Sequence, residues 1–246
     1  MSDSVDLSIV IPAYNESHRI EGTLCECKEY LNRQDYTCEV IVVDDGSRDD
    51  TVEKVSRIAA DWPALRVLAQ GQNQGKGAAV RRGCLEACGE RIIFMDADHS
   101  TRIENLENFL ARIDEGYDVA AGVRTVETRE SWARRVMGLG FLWLAHLIVF
   151  RQAVVDSQCG FKVFTRDAAR KIFSLSEING GTIDVEIFYF AHRLNLRIAF
   201  VLVAWKNAPG STINPLRCLA QDPIDMIRIR LRGAGAVRRY HREQSV

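Results

Sequence analysis

The chain has 246 residues, 47% hydrophobic and 26% charged, enough to bury a substantial core and too apolar for a disordered segment. Its formal net charge of -1 gives no overall pull toward nucleic acid, so attraction to anions must come from local clusters. No stretch reaches the ~18 uninterrupted apolar residues of a membrane span, and MSDSVDLSIVIP lacks the basic start and length of a signal peptide. Seven cysteines without paired C-x-x-C clips fit reduced thiols rather than a zinc site. A cytoplasmic protein is expected, peripheral on the inner face of a membrane if it meets one.

In chain order, the strand LSIVIPAYN leads into a helix from about Arg19 to Leu31. CEVIVVDDGS is the second strand, followed by a helix from about Asp50 to Asp61. The rhythm continues through the strand LRVLAQ, the helical GKGAAVRRGCLEAC and the strand ERIIFMDAD. Strands apolar at successive rather than alternate positions suit a parallel sheet covered on both faces, so the fold class is α/β, a Rossmann-like doubly wound, mostly parallel sheet flanked by helices. The second half is less regular: a strand from Asp118 to Val123, a basic segment, an apolar stretch, DSQCGFKVF, a helix DVEIFYFAHRL, a strand IAFVLVAW and an arginine-rich tail. Residues 1–214 read as one catalytic-type domain and 215–246 as a basic C-terminal extension.

Ligands of such sheets sit beyond the carboxyl ends of the strands, where this chain carries PAYNE, DDGS and DADHS. One acidic strand end has a plain explanation in solvation, but three in succession converge on one crevice. Asp96 and Asp98, on alternate residues, can grip one hard cation whose remaining places are filled by water and nucleotide phosphate oxygens. Such an ion, Mg2+ or Mn2+, neutralises charge developing on a leaving diphosphate. NQGKGAAVRRG is neither a P-loop nor a dinucleotide fingerprint. Gly75 and Gly77 around Lys76 open a helix, either as an entrance for an anion or as a plain capping turn.

The ordered set IVIPAYNE, VVDDGSRDDT, NQGKGAAVRRG and FMDAD resembles the inverting nucleotide-sugar glycosyltransferases with the GT-A fold. DSQCGFKVFTRDAARKIF and IDVEIFYFA are similar to the polyprenyl-phosphate hexosyltransferases, above all the dolichyl-phosphate β-glucosyltransferase branch and more distantly dolichyl-phosphate mannose synthase. The resemblance implies a nucleotide-sugar pocket from Pro12, Ala13, Tyr14, Glu16, Asp44, Asp45, Lys76, Asp96 and Ala97, with Asp45 on the base or ribose. It implies Asp96 and Asp98 as the metal pair, with Asp98 the direct ligand. Arg124 and Arg134 fall where relatives bind the acceptor phosphate, and Arg135, Gln158, Lys206 and Ser211 complete the expected acceptor side. Ser100, Gly138 and Thr212 depart from the mannose synthase pattern, so the acceptor side follows the family less closely than the donor side.

The implied reaction is metal-dependent inverting transfer of a hexose, glucose from UDP-glucose, onto a polyprenyl phosphate. Asp184 divides this from transfer to a sugar or polymer hydroxyl: a hydroxyl needs a general base and a phosphate monoester does not. A non-catalytic nucleotide-sugar-binding protein is the third reading, with the intact aspartate pair against it. MGLGFLWLAHLIVF is too short to cross a bilayer as a helix and reads as a core helix or as an interfacial one guiding a lipid. From Pro215 onward seven arginines face three acids, and DPIDMIRIRLR suits either a solvated helix or weak attachment to an anionic membrane surface. The tail lacks the interleaved aromatics of a nucleic-acid binder.

Overall fold

The computed structural model describes residues 5–98, 100–124, 158–204 and 215–243, together with 140, 145 and 149. Seven strands form one sheet in the order β3-β2-β1-β4-β6-β5-β7. They are β1 Leu7–Ala13, β2 Cys38–Asp44, β3 Leu65–Ala69, β4 Arg91–Met95, β5 Val119–Arg124, β6 Phe161–Thr165 and β7 Ile198–Val203. All pairings are parallel except those of β6, which runs antiparallel to both β4 and β5. The expected doubly wound sheet is present, with β6 as an element that the GFKVF text did not announce.

Alternating side chains on each central strand go to opposite faces, and both faces are dry. Ile9, Val40, Val42 and Ile93 pack beneath α1 (Ile20–Leu31), α2 (Thr51–Ala60) and α4 (Leu106–Asp114). Val10, Ile41, Val43 and Phe94 pack beneath α3 (Lys76–Glu86), α5 (Arg166–Leu175), α6 (Ile183–Arg193) and α7 (Pro215–Glu243). Burial of this kind is worth about 1.5–3 kcal/mol per large aliphatic side chain, which explains why the strands read as continuous Val and Ile runs. The basic extension is part of this packing, since α7 sets Met226, Ile229, Ala236 and Val237 into the second core. Ala145 and Val149 of the apolar stretch are buried in the same cluster and Gly140 is exposed; the other residues of that stretch lie outside the described residues. No described helix is long and apolar enough to cross a membrane.

Two features of this topology place the site. The chain leaves β1 toward β2 and β3 on one side and returns through β4 on the other, so a crevice opens between the carboxyl ends of β1 and β4. Because β6 is antiparallel, its start lies against the end of β4, with Met95 paired to Phe161. The Asp96 amide extends that ladder to the Gly160 carbonyl at 3.0 Å. Motifs about 60 residues apart in the sequence thereby become neighbours.

Candidate active site

The loops after β1 and β2 are sewn together. The Asn15 amide donates to Ser47 Oγ at 2.9 Å, the Glu16 amide to Thr51 Oγ1 at 2.9 Å, and the Asp45 amide to the Ala13 carbonyl at 2.8 Å. Asp44 accepts from the Gly46 and Ser47 amides at 3.1 and 3.2 Å, so its carboxylate shapes the turn rather than the cleft wall. Asp45 is 2% exposed and accepts from Gln70 Nε2, the Gln74 amide and the Gly75 amide at 2.7 to 2.8 Å. It thus holds the loop that enters α3 in place.

That helix entrance is filled by the protein itself. The Gly77 amide donates to the Asn179 carbonyl at 2.8 Å, and a side chain at Gly77 would crowd the backbone of residues 178–180. The glycines of QGKG are therefore required by close approach, and the capping carbonyl takes the role that an anion would have had. The 176–178 segment is in turn held by Glu186, whose buried carboxylate accepts from Ser176 Oγ and from the Glu177 and Ile178 amides. Burial pushes Glu186 above the usual carboxylate range, against these bonds.

Asp96 stands at the crevice with Lys76 Nζ 2.6 Å from its Oδ1. Its other oxygen abuts Gly160, where an added Cβ would overlap the carboxylate. Burial raises the pKa of Asp96, with Asp98 adding to the shift and Lys76 opposing it. For Lys76 burial disfavours the charge, but the carboxylates of Asp96, Asp184 and Asp98 outweigh it and hold the ammonium above its ordinary range. Asp98 Oδ1 accepts from the Ser100 amide at 2.9 Å, and Thr23 Oγ1 anchors the turn between the aspartates by donating to the Ala97 carbonyl at 2.8 Å. Glu16 accepts from Nε and one terminal nitrogen of Arg19 at 2.6 and 2.7 Å, while burial raises its pKa.

Pro12, Ala13, Tyr14, Glu16, Asp45, Lys76, Asp96, Ala97 and Asp98 line one cleft of about 710 Å3. Arg124 ends β5, half-buried, and Gln158 is exposed in the turn before β6. Arg134, Arg135, Lys206 and Ser211, with Gly138 and Thr212, lie outside the described residues. Asp184 is 4% exposed, paired with Lys162 Nζ at 2.6 Å, and close enough to Lys76 and Asp96 for its charge to act on both. Lys162 is itself fully buried on β6, donates to the Cys159 carbonyl at 2.6 Å and lies over the Phe94 and Phe188 rings at 5.2 and 5.6 Å. The sequence reading missed Lys162, although the alternation of FKVFT puts this lysine between apolar neighbours on a buried strand. It also missed the far wall of the cleft, which α7 supplies through Asp222, Asp225, Arg228 and Arg232.

The donor set fits a hard divalent cation. Two carboxylates end one strand, and Asp96 already accepts a cationic group on the face turned to Lys76. Among the described residues no cluster of three or more His, Cys, Asp or Glu side chains completes a cage. Asp96 and Asp98 alone would leave coordination places of such a cation open to other oxygen ligands.

Comparison with known proteins agrees with this geometry. The profile of Glycosyl transferase family 2 matches residues 8–173. A dolichyl-phosphate beta-glucosyltransferase of Dictyostelium discoideum is 35% identical, over 94% of this chain and 75% of the relative. The Homo sapiens protein of the same name is 34% identical, over 94% of this chain and 76% of its own length. Among solved structures, glucosyl-3-phosphoglycerate synthase from Mycobacterium tuberculosis with Mn2+ and UDP-glucose superposes with a TM-score of 0.69, at 24% identity over 91% of this chain and 77% of that one. A complex of that synthase with Mg2+ and UDP gives 0.68 at 22% identity, over 92% and 78% of the two chains. These structures share the GT-A sheet, and the chain belongs to Glycosyl transferase family 2.

Proposed function

We propose that this chain transfers glucose from UDP-glucose to a polyprenyl phosphate, giving a β-linked polyprenyl-phosphate glucose. The curated relatives named above, which carry dolichyl phosphate and glucose in their name, set the substrate class. The observation that carries the reading is the position of Asp184. Its carboxylate is tied to a buried lysine, which favours an acceptor that brings its own negative charge over one that Asp184 would have to deprotonate. A phosphate monoester does so at neutral pH, whereas a sugar hydroxyl needs a base to take its proton.

The nucleoside end is received by Pro12, Ala13, Tyr14 and the loop that Asp45 holds. Asp98 and Asp96 would hold a divalent cation, Mg2+ or Mn2+, which supplies Lewis-acid neutralisation of the charge on the departing diphosphate. Lys76 adds a fixed positive charge at the same edge. An oxygen of the acceptor phosphate attacks the anomeric carbon from the face opposite the UDP. The carbon–oxygen bond to UDP breaks with its electron pair leaving on the diphosphate, and the α-linked donor becomes a β-linked product. No proton is transferred, and the work of the protein is alignment and charge neutralisation. Arg124, at the same edge of the sheet as Asp96, is the described residue suited to the acceptor phosphate.

The experiment is incubation of the purified chain with Mn2+, a polyprenyl phosphate and, separately, UDP-glucose, GDP-mannose and UDP-N-acetylglucosamine, with products read by mass spectrometry. A lipid-linked hexose is expected from UDP-glucose alone, lost with a chelator and restored by excess Mn2+ or Mg2+. Transfer from another donor, or donor hydrolysis without a lipid product, would overturn the substrate assignment.

A further inference from the structure

Helix α7 has a second face that the cleft does not use. Its inner side packs into the core and walls the cleft. On the outer side Ile224, Ile227 and Leu231 follow one another at intervals of three and four, which places them in a single stripe. They are 48%, 48% and 74% exposed and make up three of the five large exposed apolar side chains among the described residues. A helix amphipathic in the ordinary sense buries its apolar residues, and this one shows some to water.

The charges around the stripe are mostly basic, although two of the arginines are paired, Arg228 with Asp225 at 3.2 Å and Arg232 with Glu177 at 3.4 Å. Arg228 and Arg232, both exposed, flank it on the side of the cleft, and Arg238 and Arg239 are exposed beyond its C-terminal end. The only acids between residues 221 and 242 are Asp222 and Asp225, and both line the cleft on the inner side. Arg228 and Arg232 line the cleft as well, so the stripe and the cleft mouth share one rim. Three aliphatic side chains expose no more than a few hundred Å2, short of the roughly 800 Å2 per partner of a stable dimer. Isoleucine and leucine at the acyl boundary with arginine heads reaching the phosphates is the arrangement of a helix lying in a membrane interface.

We infer that the outer face of α7 docks this chain on an anionic lipid bilayer, with Ile224, Ile227 and Leu231 inserted and the arginines on the headgroups. This places Arg228, Arg232 and the mouth of the cleft at headgroup height, where the phosphate of a lipid acceptor is presented. In its purpose the inference rests on the lipid-acceptor reading, but binding is measured without turnover.

The test is sedimentation of the full chain with phosphatidylcholine vesicles and with mixed phosphatidylcholine and phosphatidylglycerol vesicles, beside the triple variant Ile224→Ser, Ile227→Ser, Leu231→Ser. Binding is expected only to the anionic vesicles, weaker at high salt, and lowered at least roughly tenfold in the variant. The variant should keep its melting temperature and its turnover of a short, detergent-soluble polyprenyl phosphate, because none of the three residues lines the cleft. Equal binding of variant and parent, or no binding by the parent, overturns the inference. So does a parent that light scattering finds dimeric and the variant monomeric with vesicle binding unchanged, since the stripe would then seat a second copy. Vesicle binding without glucosyl transfer would keep the docking face and remove the acceptor reading; transfer without vesicle binding would do the reverse.

Discussion

Replacing Asp98 with alanine is expected to lower glucosyl transfer at saturating donor by about 10³-fold or more, equivalent to roughly 4 kcal/mol of transition-state stabilisation. The carboxylate stands at the end of β4 beside Asp96, with one oxygen taken by the Ser100 amide and the side chain open to the cleft. Melting temperature without nucleotide should therefore move little, since one partly exposed hydrogen bond is worth about 1 kcal/mol. Asp98→Asn preserves size and should fall nearly as far in rate, because charge and not shape is what a hard cation requires. Full turnover in either variant would remove the aspartate pair from the mechanism.

Gly160→Ala is expected to cost about 10²-fold in rate, acting through the position of Asp96 and not through any contact of residue 160 with substrate. A Cβ there would overlap the Asp96 carboxylate, and the backbone cannot withdraw because its carbonyl accepts the Asp96 amide at 3.0 Å and the next residue is paired in β6. Asp96 must turn away, which breaks its contact with Lys76 and displaces half of the aspartate pair. Misplacement by about 1 Å at a reacting centre has effects of this size, and the crowding itself should lower stability by about 1–3 kcal/mol. Gly181→Ala is the control, since an added Cβ there meets nothing within 4 Å. Kinetics of both variants, with melting curves beside them, separate loss of alignment from loss of fold. A Gly160→Ala enzyme as fast as the parent would mean that Asp96 does not need its observed position.

The meeting of the strand ends at one cleft was legible in the sequence because each of its parts is local. A strand end followed at once by its acids puts Tyr14, Asp45, Asp96 and Asp98 at one sheet edge as soon as the strands are parallel. The rest depends on contacts that short motifs do not encode. Asp184 reads as a candidate base on an apolar helix, and its pairing with Lys162 of β6, 22 residues away, is not written in that motif. Gly75 and Gly77 read as a possible anion site, and the carbonyl that fills it arrives from Asn179, about 100 residues later. The arginine-rich tail reads as an extension because its charges dominate its composition. Its buried residues, Met226, Ile229 and Val237, recur at three- and eight-residue intervals and fall on one face only when the segment is helical.

The proposed reaction has the acceptor supply its own charge, with Asp184 held by Lys162 rather than acting as a base. The most direct measurement offers the enzyme a polyprenyl phosphate and the matching polyprenol in parallel, with UDP-glucose and Mn2+, and follows glucosylated lipid over time. The account predicts product from the phosphate and none from the alcohol, at any pH where the protein stays folded. Glucosylation of the alcohol, with a rate that rises as a carboxylate loses its proton, would contradict it and return Asp184 to the role of general base.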